Sequence, residues 1–223
     1  ANNNSVVSLQ TAHPDDLTKR SQYDSVKSTL YDQKTGAALS TLAPLRQRGA
    51  EVIVTDGGSR DRTVEIARPL VDRVIAAPRG RGAQMNAGAA SASGDVLLFL
   101  HADTTLPLGA DSLVLEGLHS SASQWGRFDA RIDGESPLLP IVAALMNARS
   151  RLTGIATGDQ AMFVRRAAFV ATGGFPEIPL MEDVELSKRL KRVSRPLCLA
   201  ARVVTSGRRF DERGAVRTIL LMW

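Results

Sequence analysis

Glu51-Val52-Ile53-Val54-Thr55-Asp56-Gly57-Gly58-Ser59-Arg60-Asp61-Arg62-Thr63 reads as a buried strand, a glycine turn and the opening of a helix. The β-branched run before Asp56 suits a strand covered on both faces. Ser59 or Asp61 is placed to cap a helix that runs to Arg68 and is closed by Pro69. Upstream, residues 37–48 have helical spacing and stop at Gly49, a residue suited to a helix C-terminus. Downstream come a strand over 71–76, a loop over 78–82, a small-residue helix over 83–92 ended by Gly94, and an apolar strand over 96–100. Strands alternating with helices predict an α/β fold whose mostly parallel sheet is covered on both faces.

The second half is more mixed. Residues 126–133 alternate like a strand, and 138–152 place apolar residues at helical spacing. A short strand is expected over 161–164, a charged helix over 182–192, and a last strand or pair over 197–204. Trp125 and the 138–152 face read as core. The first 36 residues are an atypical segment, a first strand near 5–9 followed by a polar insertion, ahead of one domain over 37–223.

With 28 Lys and Arg against 23 Asp and Glu, the chain is mildly basic, which suits a phosphate-bearing ligand. Aromatics are 4%, too few for base-stacking platforms, and the arginines are dispersed, so no nucleic-acid partner is expected. Cys198 is the lone cysteine and reads as a buried strand thiol. No run reaches the roughly 20 apolar residues that span a bilayer. The start, 1–8, lacks a signal-peptide pattern, so the expectation is cytoplasmic, with at most peripheral membrane contact. The apolar ending 219–223 reads either as a docking helix or as a cut end.

Ligands of open α/β sheets bind beyond the carboxyl ends of the strands. Asp56 and Asp103 both follow apolar strands and so emerge at one such rim. Pro78-Arg79-Gly80-Arg81-Gly82 leads into a helix and combines glycines with arginines, which suits an anion. It lacks the Gly-Lys-Ser/Thr of a P-loop, and Met85 stands where a dinucleotide fingerprint needs its third glycine. His13, His101 and His119 have no metal-ligand spacing, so zinc is not expected.

Together these segments resemble the family-2 glycosyltransferases of the GT-A fold, an α/β/α sandwich. The opening stretch is similar to the family's strand-Asp-Gly-Ser-x-Asp-x-Thr block. Gly82-Ala83-Gln84-Met85-Asn86-Ala87-Gly88 resembles the helix that follows. Phe99-Leu100-His101-Ala102-Asp103 stands at the metal motif, and Met181-Glu182-Asp183-Val184-Glu185-Leu186 at the Glu-Asp block. With Gly158-Asp159-Gln160 and Ser206-Gly207-Arg208-Arg209-Phe210, the wording is similar to a bacterial subgroup called radical-SAM/selenodomain-associated or arsenosugar-biosynthesis transferases.

The resemblance implies a nucleoside-diphosphate sugar donor, an acceptor hydroxyl and a divalent cation, Mg²⁺ or Mn²⁺. Asp56 would bind base or ribose, with Gly57, Asn86 and Ala102 lining the donor pocket. Asp103 would hold the cation, with His101 as a ligand, a second contact or a rim residue. Asp183 would be the general base of an inverting displacement, and Glu182 would orient the acceptor. Arg81, Arg208 and Arg209 would clamp the diphosphate. Two departures stand out: the metal motif begins with His101 where the family has Asp, and Gln10-Thr11-Ala12-His13-Pro14 does not continue as the family's Pro-x-x-Asn-Glu. A silent GT-A-like scaffold and a nucleotidyltransferase are the competing readings.

Overall fold

The computed structural model describes the backbone of residues 5–11 and all of residues 36–207. Its strands are β1 (Ser5–Thr11), β2 (Glu51–Asp56), β3 (Arg73–Ala76), β4 (Val96–His101), β5 (Thr104–Thr105), β6 (Trp125–Asp133), β7 (Phe163–Arg165) and β8 (Leu197–Ser206). The helices are α1 (Ala43–Gln47), α2 (Thr63–Ala67), α3 (Arg81–Ser91), α4 (Ala110–Ser120), α5 (Leu139–Thr153), α6 (Arg166–Ala171) and α7 (Glu182–Leu190). One sheet runs in the order β3-β2-β1-β4-β7-β6-β8-β5. The β3-β2-β1-β4 half is parallel throughout, and β6 and β8 are also parallel. The pairings of β7 with β4 and β6, and of β5 with β8, are antiparallel.

Alternation along β4 divides the core. Val96, Leu98 and Leu100 pack with Leu45 of α1, Val114 and Leu118 of α4 and Val142 of α5. Leu97 and Phe99 pack with Met85 of α3, Phe169 of α6 and Leu186 and Leu190 of α7. This two-sided burial is the expected sandwich, and it explains the unbroken apolar runs 52–54 of β2 and 96–100 of β4. Residues of odd number on β4 therefore face α3 and α7, which fixes the side on which His101 emerges.

Several elements differ from expectation. The helix expected over 37–48 is broken into 36–40 and α1, with Pro44 entering at the start of the second piece, where a missing N–H is tolerated. α4 and α6 carry no sequence signal strong enough to have been anticipated. β8 is one strand, its register against β6 shifted between Phe128 and Asp129. Cys198 is only half-buried, because β8 alternates between intermediate and exposed positions there. One face of α5 is core, while Ile141, Leu145 and Leu152 are exposed. Trp125 is fully buried, its indole N–H donating to the Ser194 carbonyl at 3.0 Å. No helix among the described residues is long and apolar enough to cross a membrane.

Arg48, closing α1, forks onto Asp111 in the first turn of α4 with two bonds of 2.7 Å. The Arg48 hydrogen bonds, opposed by burial and aided by the Ser112 N–H, hold the Asp111 carboxyl below its usual range. A carboxyl depressed on folding stabilises above its unfolded pKa and ceases to do so as pH falls through the folded one. The melting temperature of wild type should therefore exceed that of Asp111→Asn at neutral pH. The gap should close progressively below about pH 4. Thermal unfolding across a pH series measures it.

Candidate active site

Asp56 ends β2 and bends its carboxylate back over its own turn. The Gly58 and Ser59 N–H groups donate to it at 3.0 and 3.1 Å. Asp61 accepts from the Thr63 N–H at 3.1 Å and so serves the start of α2. Register places Asp56 beside Thr11 and His101 beside Gln10, on either side of β1. The two ends thus lie at one rim, two strand spacings or about 10 Å apart.

The first half of α3 holds that rim together. Buried Gln84 donates to the Thr55 carbonyl at 3.1 Å and packs so tightly on Gly57 that a Cβ there would stand 2.9 Å from its amide nitrogen. Gly82 leaves room for the Pro176 carbonyl, which a Cβ would meet at 2.5 Å. Asn86 donates to the Phe175 carbonyl at 2.8 Å and accepts from its N–H at 2.9 Å. Both amide atoms of Asn86 are thereby committed to the segment leading into α7, where the sequence had suggested a donor contact. Arg81 forms an ion pair with Glu182, Nε to Oε1 3.1 Å.

α7 opens with Glu182 and Asp183, both buried. Asp183 Oδ2 accepts from the Gly158 N–H at 2.7 Å, and Oδ1 from the Val184 N–H at 2.7 Å. Ser187, one turn on, binds the backbone of Ala156 through both its carbonyl and its N–H. These bonds fasten α7 to the 3₁₀ turn Gly158–Gln160, which a capping box between Thr157 and Gln160 fixes internally. The turn packs directly against the histidine that ends β4: a Cβ on Gly158 would fall 2.2 Å from His101 Cε1. His101 Nδ1 lies 3.5 Å from Asp159 Oδ1, which Thr205 Oγ1 also approaches at 3.4 Å. Burial pulls the His101 pKa down, but the Asp159 hydrogen bond and charge, with Asp103 nearby, outweigh burial and the Arg81 charge and leave it above its ordinary value.

His101, Gly158 and Asp183 line a cavity of ≈ 10 Å³ together with Met85, Phe99 and Phe175. That is the volume of about one water molecule. Two residues adjoining the site hold left-handed backbone without being glycine: Ala161 at φ 45° and Met181 at φ 67°. Such strain is kept where surrounding contacts over-determine it, commonly at functional sites.

The structure thus brings His101, Asp103, Arg81, Glu182 and Asp183 to one end of β4, with Asp56 and Gly57 two strands away. Asp103 is exposed on the turn after β4, and Ala102 packs partly into the core beside it. Arg208 and Arg209 lie outside the described residues. Glu182 differs most from expectation. It is 1% exposed and paired to Arg81, so it does not present a free carboxylate to an acceptor. Gln84 and Asp159 were not singled out from sequence, although both sit in quoted blocks; a role that depends on reaching another element leaves no mark in local spacing.

Among the described residues no three His, Cys, Asp or Glu side chains are grouped to hold a metal. Exposed Asp103, with Asp159 close by through His101, instead suits a hard cation that takes one or two carboxylates and completes its shell with phosphate oxygens and water.

Sheet order and the rim of carboxylates at its carboxyl end define a GT-A, nucleotide-diphospho-sugar-transferase-like fold. The chain belongs to glycosyl transferase family 2, whose sequence profile matches residues 36–168, more than half of the 223. The matched stretch ends before α7. Among curated proteins no sequence matches significantly. Similar solved structures include S. aureus TarS with UDP, at 17% identity and TM-score 0.62 over 91% of this chain and 60% of that chain. Mannosyltransferase PcManGT from Pyrobaculum calidifontis, solved with GDP-Man and Mn²⁺, has 16% identity and TM-score 0.61 over 90% and 56%. Glucosyl-3-phosphoglycerate synthase from Mycobacterium tuberculosis, with Mn²⁺, UDP and phosphoglyceric acid, has 19% identity and TM-score 0.64 over 96% and 74%. The chain spans less than two thirds of the TarS and PcManGT chains, and at these identities the likeness is one of fold.

Proposed function

We propose that the chain is an inverting glycosyltransferase that moves a sugar from a nucleoside diphosphate to an acceptor hydroxyl. The observation that carries this reading is the fastening of Asp183 to the end of β4 through Gly158 and His101, on the sheet face that also holds Arg81. In the reaction, the acceptor oxygen forms a bond to the anomeric carbon as the bond from that carbon to the phosphate oxygen breaks. Asp183 accepts the hydroxyl proton, and the nucleoside diphosphate leaves with the bonding electrons. Attack from the face opposite the leaving group inverts the carbon. Asp103 would hold Mg²⁺ or Mn²⁺, which supplies neutralising charge at the diphosphate. Asp56 and Gly57 take the nucleoside end, Ala102 lines the path between, and Asn86 secures the Phe175 segment.

Neighbours solved with UDP, GDP-Man and Mn²⁺ support a nucleotide-sugar donor and a divalent cation. The Gly158-Asp159-Gln160 wording supports the radical-SAM/selenodomain-associated subgroup, and the single cysteine a reducing, cytoplasmic setting. Calorimetric titration with UDP and GDP, with Mn²⁺ and with EDTA, tests the reading. Binding of one nucleotide that weakens on chelation is expected, and no binding of either with Mn²⁺ present would refute it.

A further inference from the structure

Glu182 is the one acidic side chain of the site with an oxygen that is both buried and without a partner among the described residues, Oε2. Its other oxygen, Oε1, pairs with Arg81, the nearest approach being to Nε at 3.1 Å. Arginine and carboxylate satisfy each other best as a two-bond fork, and an unpaired buried polar atom costs about 1–3 kcal/mol or more. The present geometry forgoes the fork. In return, neither Nη of Arg81 has a hydrogen-bond partner among the described residues, and the side chain is 23% exposed. Arg81 is also the first residue of α3, an 11-residue helix without a side-chain cap and without an acidic residue in its first turn. Positive backbone charge and the guanidinium therefore point to the same region.

We infer that Glu182 is a positioning residue for the donor: its buried carboxylate grips Arg81 by Nε so that both Nη groups are held for the diphosphate, and it does not contact the acceptor. The inference rests on the donor-site reading above. Met181, at φ 67°, is the residue immediately before Glu182 at the start of α7. The neighbouring attachments, Gly82 under Pro176 and Asn86 on Phe175, keep α3 and the approach to α7 in fixed relation while this pair does its work.

The test is calorimetry on the full chain with Mn²⁺, comparing UDP and GDP with UMP and GMP, in wild type, Glu182→Gln, Arg81→Lys and Arg81→Ala. Each variant should weaken diphosphate affinity by about tenfold, the scale of a lost charge-assisted hydrogen bond. Monophosphate affinity should change far less, and the Glu182→Gln melting temperature should not fall, because the change removes a poorly satisfied buried charge. The conservative Arg81→Lys tests the fork geometry, since one ammonium cannot serve Glu182 and two phosphates. Wild-type diphosphate affinity in Glu182→Gln, together with a lower melting temperature, would make the pair structural and overturn the inference. Should Glu182→Gln not fold, unchanged affinity in both Arg81 variants overturns it equally. Failure of wild type to bind any diphosphate removes the donor-site reading, and the inference with it.

Discussion

Asp183→Asn is expected to lower sugar transfer by about 10²–10⁴-fold, the usual contribution of a positioned general base. Donor binding should change little, because in the proposed reaction Asp183 acts on the acceptor hydroxyl. The effect on the fold is not zero. Asp183 accepts from the Gly158 and Val184 N–H groups, and asparagine has one oxygen for two donors. The amide will keep one of these bonds and turn an NH₂ towards the other N–H, leaving it unpaired beside a residue that is 9% exposed. A loss of about 1–3 kcal/mol in stability should accompany the loss of turnover. Measured together, kcat, donor Kd and melting temperature separate the two effects: a stability loss alone, with turnover intact, removes Asp183 from the role of base.

Gly158→Ala is the second large effect. A Cβ at 158 would stand 2.2 and 2.3 Å from two atoms of the His101 ring, far inside any real contact. The ring cannot simply swing away, because Gly158 also donates to Asp183 while His101 faces Asp159. Over-packing of this kind costs about 1–3 kcal/mol, and here it displaces His101 and the anchor of Asp183 at once. Thermal unfolding and turnover should both fall. The double variant Gly158→Ala/His101→Ala should recover most of the stability without the turnover, since the two sites share one contact and their effects cannot add. Full additivity of the two changes would show that the turn does not rest on the histidine.

The parallel half of the fold was open to reading because β2, β4 and α3 carry strong local patterns ended by glycine or a charged turn. Asp56 and Asp103 could be singled out the same way, as acidic residues that follow an apolar strand, whereas Asp183 is reached only through the family resemblance of its Glu-Asp block. What α4 and α6 do depends on packing against a sheet already formed, and their sequences lack the glycine–arginine loop and closing Gly94 that bracket α3. Glu182 illustrates the harder limit. Beside Asp183 it looks like a second reactive carboxylate, and only the approach of α3, about a hundred residues earlier in sequence, turns it into the partner of Arg81. Asn86 is hard to read for the same reason: a polar residue on a helix after a glycine–arginine loop is indistinguishable locally from one that grips Phe175. The compensating contact between His101 and Asp159 joins residues 58 positions apart, so the missing first aspartate of the metal motif could be noticed in the sequence but not what stands beside its replacement.

Diffraction from crystals of the chain with Mn²⁺ and the nucleoside diphosphate that binds, recorded at the manganese absorption edge, tests the account most directly. A single anomalous peak in coordination range of Asp103 is predicted, with the diphosphate against the N-terminus of α3, the nucleoside at Asp56 and the open side facing Asp183. Manganese or nucleotide bound on another surface, with those carboxylates untouched, would contradict it.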